Sequence, residues 1–354
     1  AMPRELWRLT WRQVAPILVS IVLVFSLLGL LGGLVAQRNW HSINQPQNRD
    51  AYTSELTYDR QLQRYVSDNG STYATKSAYL KDYLQVMAPS TERLRSSYNP
   101  EFDLYLTILS VLIGLGAVML SRYRHFQEFW LTLGYQRQQI TTVQFSSYAL
   151  AIGLGTLLHV GLTQAVLYAR IPHQYFTYFS WNVWLWHAGA LVLAMIALFS
   201  LAYLCQLIVT NFIINGILLY VVVTKWSAVL HYLHPISERA DDYARYFGHH
   251  VELSVLTLLL ITAVVFGLSW WLSRYVANER FSSAVTISWL RAPVCLMVSL
   301  ALALLFGSIG VTLLAGRVLY GYVLIGGIAL VGTATWLYRP RWLQFGGQLI
   351  QWLR

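Results

Sequence analysis

Eight apolar stretches, each long enough to cross a lipid bilayer as a helix, limit what this chain can fold into. A helix needs about 20 mostly apolar residues to cross the hydrocarbon core, where every backbone polar group must be bonded inside the protein. The pattern predicts an all-α, polytopic helical membrane protein with about eight transmembrane helices. The stretches are residues 15–36, 103–121, 146–169, 183–204, 207–229, 252–273, 293–316 and 319–338.

The composition agrees with a chain that lies mostly in lipid. Hydrophobic residues make up 56% of it and charged residues 11%, whereas soluble domains carry about 25% charged residues. This balance excludes cytosolic enzymes, nucleic-acid-binding proteins and disulfide-rich secreted scaffolds. Cys205 and Cys295 both lie in apolar stretches, where a thiol behaves as a small buried hydrophobe.

Two of the predicted spans need separate interpretation. The first stretch lacks a small-residue cleavage pattern, so we interpret it as a permanent anchor rather than a signal peptide. The fourth and fifth stretches join through Cys205 and Gln206 without a charged residue. Together they are too long for one span, which predicts a tight hairpin at this point.

The distribution of arginine predicts the orientation. Segments 1–14, 122–145, 274–292 and 339–354 hold twelve arginines and three acids, whereas the rest of the chain holds thirteen basic and twelve acidic residues. Loops rich in Lys and Arg stay on the cytoplasmic side of a membrane. We therefore expect these four segments, and both termini, to be cytoplasmic.

Two segments on the opposite side are longer than simple loops. In segment 37–101, apolar and aromatic residues recur at helical spacing in two groups, which favours a small extracellular helical cap; a solvated linker with tyrosines in the headgroup layer is the alternative. The first group is Leu56, Leu62, Tyr65 and Val66, and the second is Tyr79, Leu80, Tyr83, Leu84 and Met87. Segment 230–251 is predicted to be an extracellular loop or re-entrant segment. It lacks a complete set of metal-ligand spacings, so no metal site is predicted.

Polar residues inside the spans are candidates for a transport pathway, because polar groups in lipid are costly. His159, Asn211 and Asn215 are the candidates, and interhelical hydrogen bonding is the alternative interpretation. No carboxylate lies deep in a span, which counts against a proton- or sodium-coupled pump.

Catalytic motifs are missing from the sequence. None of the three lysines follows a glycine, so a phosphate-binding G-x-x-x-x-G-K-[ST] loop is excluded and nucleotide-driven work needs a second polypeptide. The sequence also lacks G-x-S-x-G and H-E-x-x-H patterns. We therefore predict no catalytic, cofactor-binding or metal site, and a chain that is not an enzyme.

Linker 122–145 carries the pattern most informative about function. Aromatic and charged residues alternate through 122–140, which predicts a short amphipathic helix ended by Gly134. Its residues Glu128, Phe129, Leu131, Leu133, Arg137 and Ile140 resemble the stretch between the second and third spans of type-2 ATP-binding-cassette (ABC) exporter permeases.

Two further stretches carry the same resemblance. Residues 6–13 are similar to the N-terminal amphipathic helix of these permeases. The second cytoplasmic linker is similar to that of a Gram-positive branch related to acetoin-utilisation permeases. The matching residues there are Tyr275, Glu279, Arg280, Trp289, Leu290 and Arg291.

The resemblance implies a permease subunit of an ABC exporter in the bacterial plasma membrane. Separate ATPase subunits, which hold ATP and Mg, would dock on the coupling helix, and a second identical or similar permease chain would complete the pathway. The aromatic-rich spans suit an amphipathic cargo, a peptide or a lipid-like molecule, although the residues do not identify the substrate. The implied coupling residues are Glu128, Phe129, Trp130, Leu133 and Arg137.

Two other functions remain open from the residues alone. One is a membrane-embedded enzyme acting on a lipid or polyprenyl substrate, with His159 or His187 as its base. The other is a non-transporting sensor or assembly factor whose outer segment 37–101 recognises a peptide.

Overall fold

The computed structural model describes residues 4–54, 56–67, 71–86, 104–123, 126–177, 179–221, 251–276, 285–313 and 318–338. The predictions for residues 87–103, 222–229, 230–250 and 339–354 lie outside the described residues.

Helices dominate the described chain. The helices are α1 (Arg4–Asn44), α2 (Pro46–Thr53), α3 (Lys76–Tyr83), α4 (Leu104–Tyr123), α5 (Phe126–Thr132), α6 (Arg137–Arg170), α7 (Trp181–Ile208), α8 (Phe212–Val221), α9 (Val251–Leu272), α10 (Arg291–Leu313) and α11 (Val318–Tyr338). The strands are β1 (Thr57–Asp59), β2 (Arg64–Val66) and β3 (Thr72–Tyr73).

Within the described residues, five helices are long and apolar enough to cross a membrane: α1, α4, α6, α7 and α9. This confirms the expectation of a helical chain with several membrane-crossing segments. Helices α8, α10 and α11 lie where the fifth, seventh and eighth spans are predicted, and their described apolar parts are shorter. The total of eight spans and the orientation of the termini stay predictions.

Helix α1 is longer than the sequence pattern suggests. Its 41 residues extend over about 60 Å at 1.5 Å per residue, roughly twice the hydrocarbon thickness. Pro16 lies inside it, and the Ser20 hydroxyl donates to the Pro16 carbonyl at 2.7 Å. One continuous helix over residues 4–44 therefore covers most of the predicted amphipathic helix (1–14), the predicted span (15–36) and the start of the predicted outer segment (37–101). Where the membrane begins and ends along this helix stays a prediction.

Helices α1 and α6 pack in parallel through small residues. A Cβ on Gly29 would overlap the backbone carbonyl of His159, and one on Gly33 would lie 2.9 Å from the Val166 side chain. The facing Gly155 lies against Phe25 in the same way. Such glycines let helix backbones approach closely in lipid. Because contacts advance together along both helices, the first and third predicted spans run in the same direction.

The other long helices pack around this pair. Helix α4 approaches α7 at Gly114, where a Cβ would lie 2.6 Å from the Phe199 carbonyl oxygen. Helix α9 joins the bundle where Phe266 contacts Phe145, with ring centroids 4.6 Å apart. Helices α10 and α11 pair with each other and contact the bundle through a second apolar cluster around Val209, Leu218, Val285, Val294 and Val298.

The outer segment is a mixed structure rather than a purely helical cap. Strands β1, β2 and β3 form an antiparallel sheet in that order, with Tyr58 paired to Tyr65. The first of the two helices predicted there is therefore wrong, since Leu56–Val66 forms a strand, a turn and a strand. The Asp59 carboxylate accepts hydrogen bonds from the Gln61 and Leu62 amides at 2.8 and 3.3 Å, a local bond that favours a turn over a helix.

The second helix predicted in the outer segment is confirmed as α3. Its N-cap is Thr75, whose hydroxyl accepts a hydrogen bond from the Ala78 amide at 3.1 Å. Side-chain oxygens at this position satisfy one of the first amides of a helix. Leu80 and Leu84 on this part of the chain are buried in the same cluster as Trp40 of α1.

The outer segment is bonded to the connection between α6 and α7. The Val86 amide donates to the Tyr175 carbonyl at 2.8 Å, and the Gln85 side chain accepts from the Thr177 amide at 3.2 Å. The Trp40 indole donates to the Leu84 carbonyl at 3.0 Å. The protruding end of α1 thus holds this segment over one end of the bundle.

Candidate functional site

The short amphipathic helix predicted within 122–140 is present as α5, but only over Phe126–Thr132, because residues 122–123 belong to α4 and residues 137–140 to α6. It ends at Gly134, which has φ +82°, a left-handed conformation that favours glycine. The Gly134 amide donates to the Leu131 carbonyl at 3.0 Å, and the Tyr135 amide donates to the Trp130 carbonyl at 3.2 Å. The Gln139 side chain accepts from the Gln136 amide at 3.1 Å and so caps the start of α6.

Trp130 anchors α5 to the bundle. Its side chain is only 2% exposed and packs with Leu6 of α1 and with Ile140 and Val143 of α6. Burial of a tryptophan contributes several kcal/mol through its large apolar surface. The first turns of α1 and α6 therefore hold α5 in place.

Phe129 of α5 and Leu133, which directly follows the helix, face outward and are 52% and 54% exposed. Glu128 is half-buried on the same helix. Arg137 is the first residue of α6 and borders a small cleft with Leu207. The structure thus divides the five predicted coupling residues: Trp130 points into the protein, and Phe129 and Leu133 are free to meet a partner.

His159 lies in the interface between α1 and α6, not in an open pathway. Its Nδ1 atom is 3.3 Å from the Phe25 carbonyl oxygen. The neighbouring Thr163 hydroxyl donates to the Gly29 and His159 carbonyls, both at 2.9 Å. These contacts agree with interhelical hydrogen bonding.

Asn211 and Asn215 lie at a break between α7 and α8. Helix α7 continues to Ile208, so the break covers residues 209–211 and the hairpin predicted at Cys205 and Gln206 is displaced. The Asn211 side chain caps α8 by accepting from the Ile213 and Ile214 amides at 3.0 and 3.1 Å. The tertiary contacts favour this position because they supply donors for the carbonyls that the break exposes.

The break is closed by a set of buried amide side chains. Asn215 donates to the Gln206 side chain at 2.6 Å and to the Val209 carbonyl at 2.9 Å. Gln206 donates in turn to the Thr210 carbonyl at 3.0 Å. Both asparagines therefore act on the backbone of the break.

Two residues at the break escaped sequence reasoning. The Arg122 guanidinium donates to the Leu207 carbonyl at 2.9 Å, and the Thr286 hydroxyl donates to the same carbonyl at 2.8 Å. The sequence offered a sign of the Arg122 contact, since an arginine directly after an apolar span can reach the end of a neighbouring helix. It offered no sign of the Thr286 contact, because that bond depends on how two distant segments fold together.

Compared with family models, curated proteins and solved structures, the chain matches none. Among the residues that the structure describes, no group of three or more His, Cys, Asp or Glu side chains could hold a metal ion.

Proposed function

We propose that this protein is the transmembrane permease subunit of an ATP-driven exporter, with ABC ATPase subunits docking against α5. The observation that supports the proposal best is the pair Phe129 and Leu133, exposed on a short helix that Trp130 fixes to the bundle. The lack of a phosphate-binding loop in the sequence assigns ATP hydrolysis to another chain. A second permease chain, identical or similar, would complete the pathway.

The geometry of α5 suits a coupling function for a physical reason. Exposed aromatic and aliphatic side chains on a rigid support lose little conformational entropy on binding. Because Trp130 ties α5 to both α1 and α6, a force on α5 would act on two long helices together. A two-state change between inward and outward access would follow if the ATPase binds the two states with different affinities.

The enzyme alternative has less geometric support. A general base must reach the proton that it removes. His159 instead lies in the contact between α1 and α6, which is so close that a Cβ on Gly29 would overlap the His159 backbone. His187 is half-buried near the start of α7.

Co-purification tests the proposal. The tagged chain is isolated from its native membrane in mild detergent, and we expect a soluble companion with a Walker loop and ATPase activity. The Phe129→Ala/Leu133→Ala double variant is expected to lower companion binding by about tenfold or more, as for a central apolar hot spot.

The matched control is Trp289→Ala, which truncates another aromatic residue, 56% exposed, in the second linker. It is expected to leave companion binding unchanged. Full transport activity of the purified chain without a nucleotide-hydrolysing companion would contradict the proposal.

A further inference from the structure

The C-terminal end of α7 is held by donors from two other segments. The last carbonyls of a helix lack partners within it, and away from water each needs a donor. The Leu207 carbonyl accepts from the Arg122 guanidinium and the Thr286 hydroxyl, at 2.9 and 2.8 Å. The Ile208 carbonyl accepts from the Thr286 amide at 2.9 Å. Both carbonyls therefore depend on residues distant in sequence.

The positions of the two donors link the break to other helices. Arg122 lies in the last turn of α4, four residues before α5 begins. Thr286 lies five residues before α10 begins, next to Val285, which forms a bridge with Val209 of the break. A guanidinium at a helix C-terminus is also favoured by the helix dipole.

Helix α8 is fastened to the same point. The Asn215 and Gln206 side chains are 0% and 1% exposed and bond to each other and to the backbone of residues 209–210. The ends of α4, α7, α8 and the segment before α10 thus meet at one joint. Displacing one of them disturbs hydrogen bonds of the others.

We propose that Arg122 and Thr286 are positioning residues that transmit displacement of α5 to the break between α7 and α8. This inference rests on the proposed function for its purpose, because a docked ATPase would supply the displacement. Arg122 passes movement of the α4–α5 corner to α7, and Thr286 extends it towards α10. The coupling between α5 and the break lies within this chain, so it can be measured without a partner.

A mutant cycle on the purified chain tests this transmission by hydrogen exchange. Trp130→Ala loosens α5, and we expect the amides of residues 209–215 to exchange about tenfold faster, as for local opening of one joint. In an Arg122→Gln background, Trp130→Ala is expected to speed exchange of the same amides by less than about twofold, because coupled residues act non-additively. Arg122→Lys keeps a cationic donor and is expected to restore most of the response.

Control variants separate transmission from loss of structure. Arg274→Gln removes an exposed arginine that stacks on Trp270 at 4.8 Å, and the full tenfold response to Trp130→Ala is expected to remain. Thr286→Val is expected to weaken the response as Arg122→Gln does. Thermal melting identifies variants that fail to fold, in which case Arg122→Lys and Thr286→Val decide the outcome.

Two results would overturn the inference. One is an equal response to Trp130→Ala with and without Arg122, which would indicate transmission through Ile140, a neighbour of Leu207 in the cleft beside Arg137. The other is no response at residues 209–215. The co-purification experiment tests the proposed function separately. If no companion is found but the two mutations act non-additively, the proposed function is wrong and the coupling through Arg122 still holds.

Discussion

Single residues in this protein act mainly on backbone groups. Gly29 brings α1 against the backbone of His159, Asn211 caps α8, and Arg122 bonds the end of α7. The Asn211 and Arg122 contacts satisfy amides and a carbonyl that helix ends leave without partners. The polar residues singled out as pathway candidates thus have structural partners.

Gly29→Ala is predicted to destabilise the bundle by about 1–3 kcal/mol, since overpacking moves backbone as well as side chains. The added methyl would overlap the His159 carbonyl. Thermal unfolding in detergent measures the change. Gly116→Ala is the matched control, because nothing lies within 4 Å of a Cβ there; equal melting of both variants would contradict the close approach.

Reversing the charge at Glu128 or Arg137 is predicted to reduce stimulation of the companion ATPase while membrane insertion stays intact. Both residues are half-buried at or beside α5, the proposed docking helix, where a reversed charge would repel the partner that the original charge attracts. ATPase assays on the reconstituted complex measure the effect. Unchanged stimulation in both variants would remove these residues from the interface.

At the scale of the elements, the break between α7 and α8 behaves as one unit. Its carbonyls at 207, 208, 209 and 210 all accept hydrogen bonds, from the Arg122 guanidinium, the Thr286 amide, and the Asn215 and Gln206 side chains respectively. The last carbonyls of a helix lack partners within it, and where they are buried they need donors from elsewhere in the protein. The four donors are therefore a condition for the break.

Asn215→Leu is predicted to cost about 2–5 kcal/mol, because it leaves two buried groups, the Gln206 side chain and the Val209 carbonyl, short of a donor. Asn211→Ala removes only the cap of α8 and is predicted to cost about 1 kcal/mol. Denaturant unfolding in mixed micelles compares the two. A larger loss for Asn211→Ala would reverse the assigned roles.

At the scale of the whole molecule, the two ends of the bundle differ. One end carries α5, the helix break and the start of α1. The other carries the sheet-containing outer segment, bonded to the connection after α6. The arginine distribution of the sequence predicts that the first end is cytoplasmic.

Thiol labelling tests that assignment. In a background with Cys205 and Cys295 replaced by alanine, Phe129→Cys is predicted to react with a membrane-impermeant reagent only in inside-out vesicles. Tyr58→Cys, half-exposed in the outer sheet, is predicted to react only in right-side-out vesicles. Labelling of both positions from one side would contradict the topology.

The sequence alone determined the helical, membrane-crossing character of the chain, because the length and apolarity of a span are local properties. It also predicted α3 and the position of α5, since both follow from periodicity and turn residues. The exposure of Phe129 and the burial of Trp130 were decided only by the tertiary structure, because α1 and α6 cover the side of α5 that carries Trp130 and leave the side with Phe129 exposed.

The helix break shows most clearly what only the tertiary structure decided. Cys205 and Gln206 mark no turn, and α7 ends at Ile208 because donors on α4 and beside Val285 meet its last carbonyls there. The outer sheet likewise replaced a helix predicted from spacing. At the break, hydrogen bonds between segments far apart in sequence outweighed local propensity. In the outer segment, the turn at Asp59 and the pairing of neighbouring strands outweighed the helical spacing of the apolar residues.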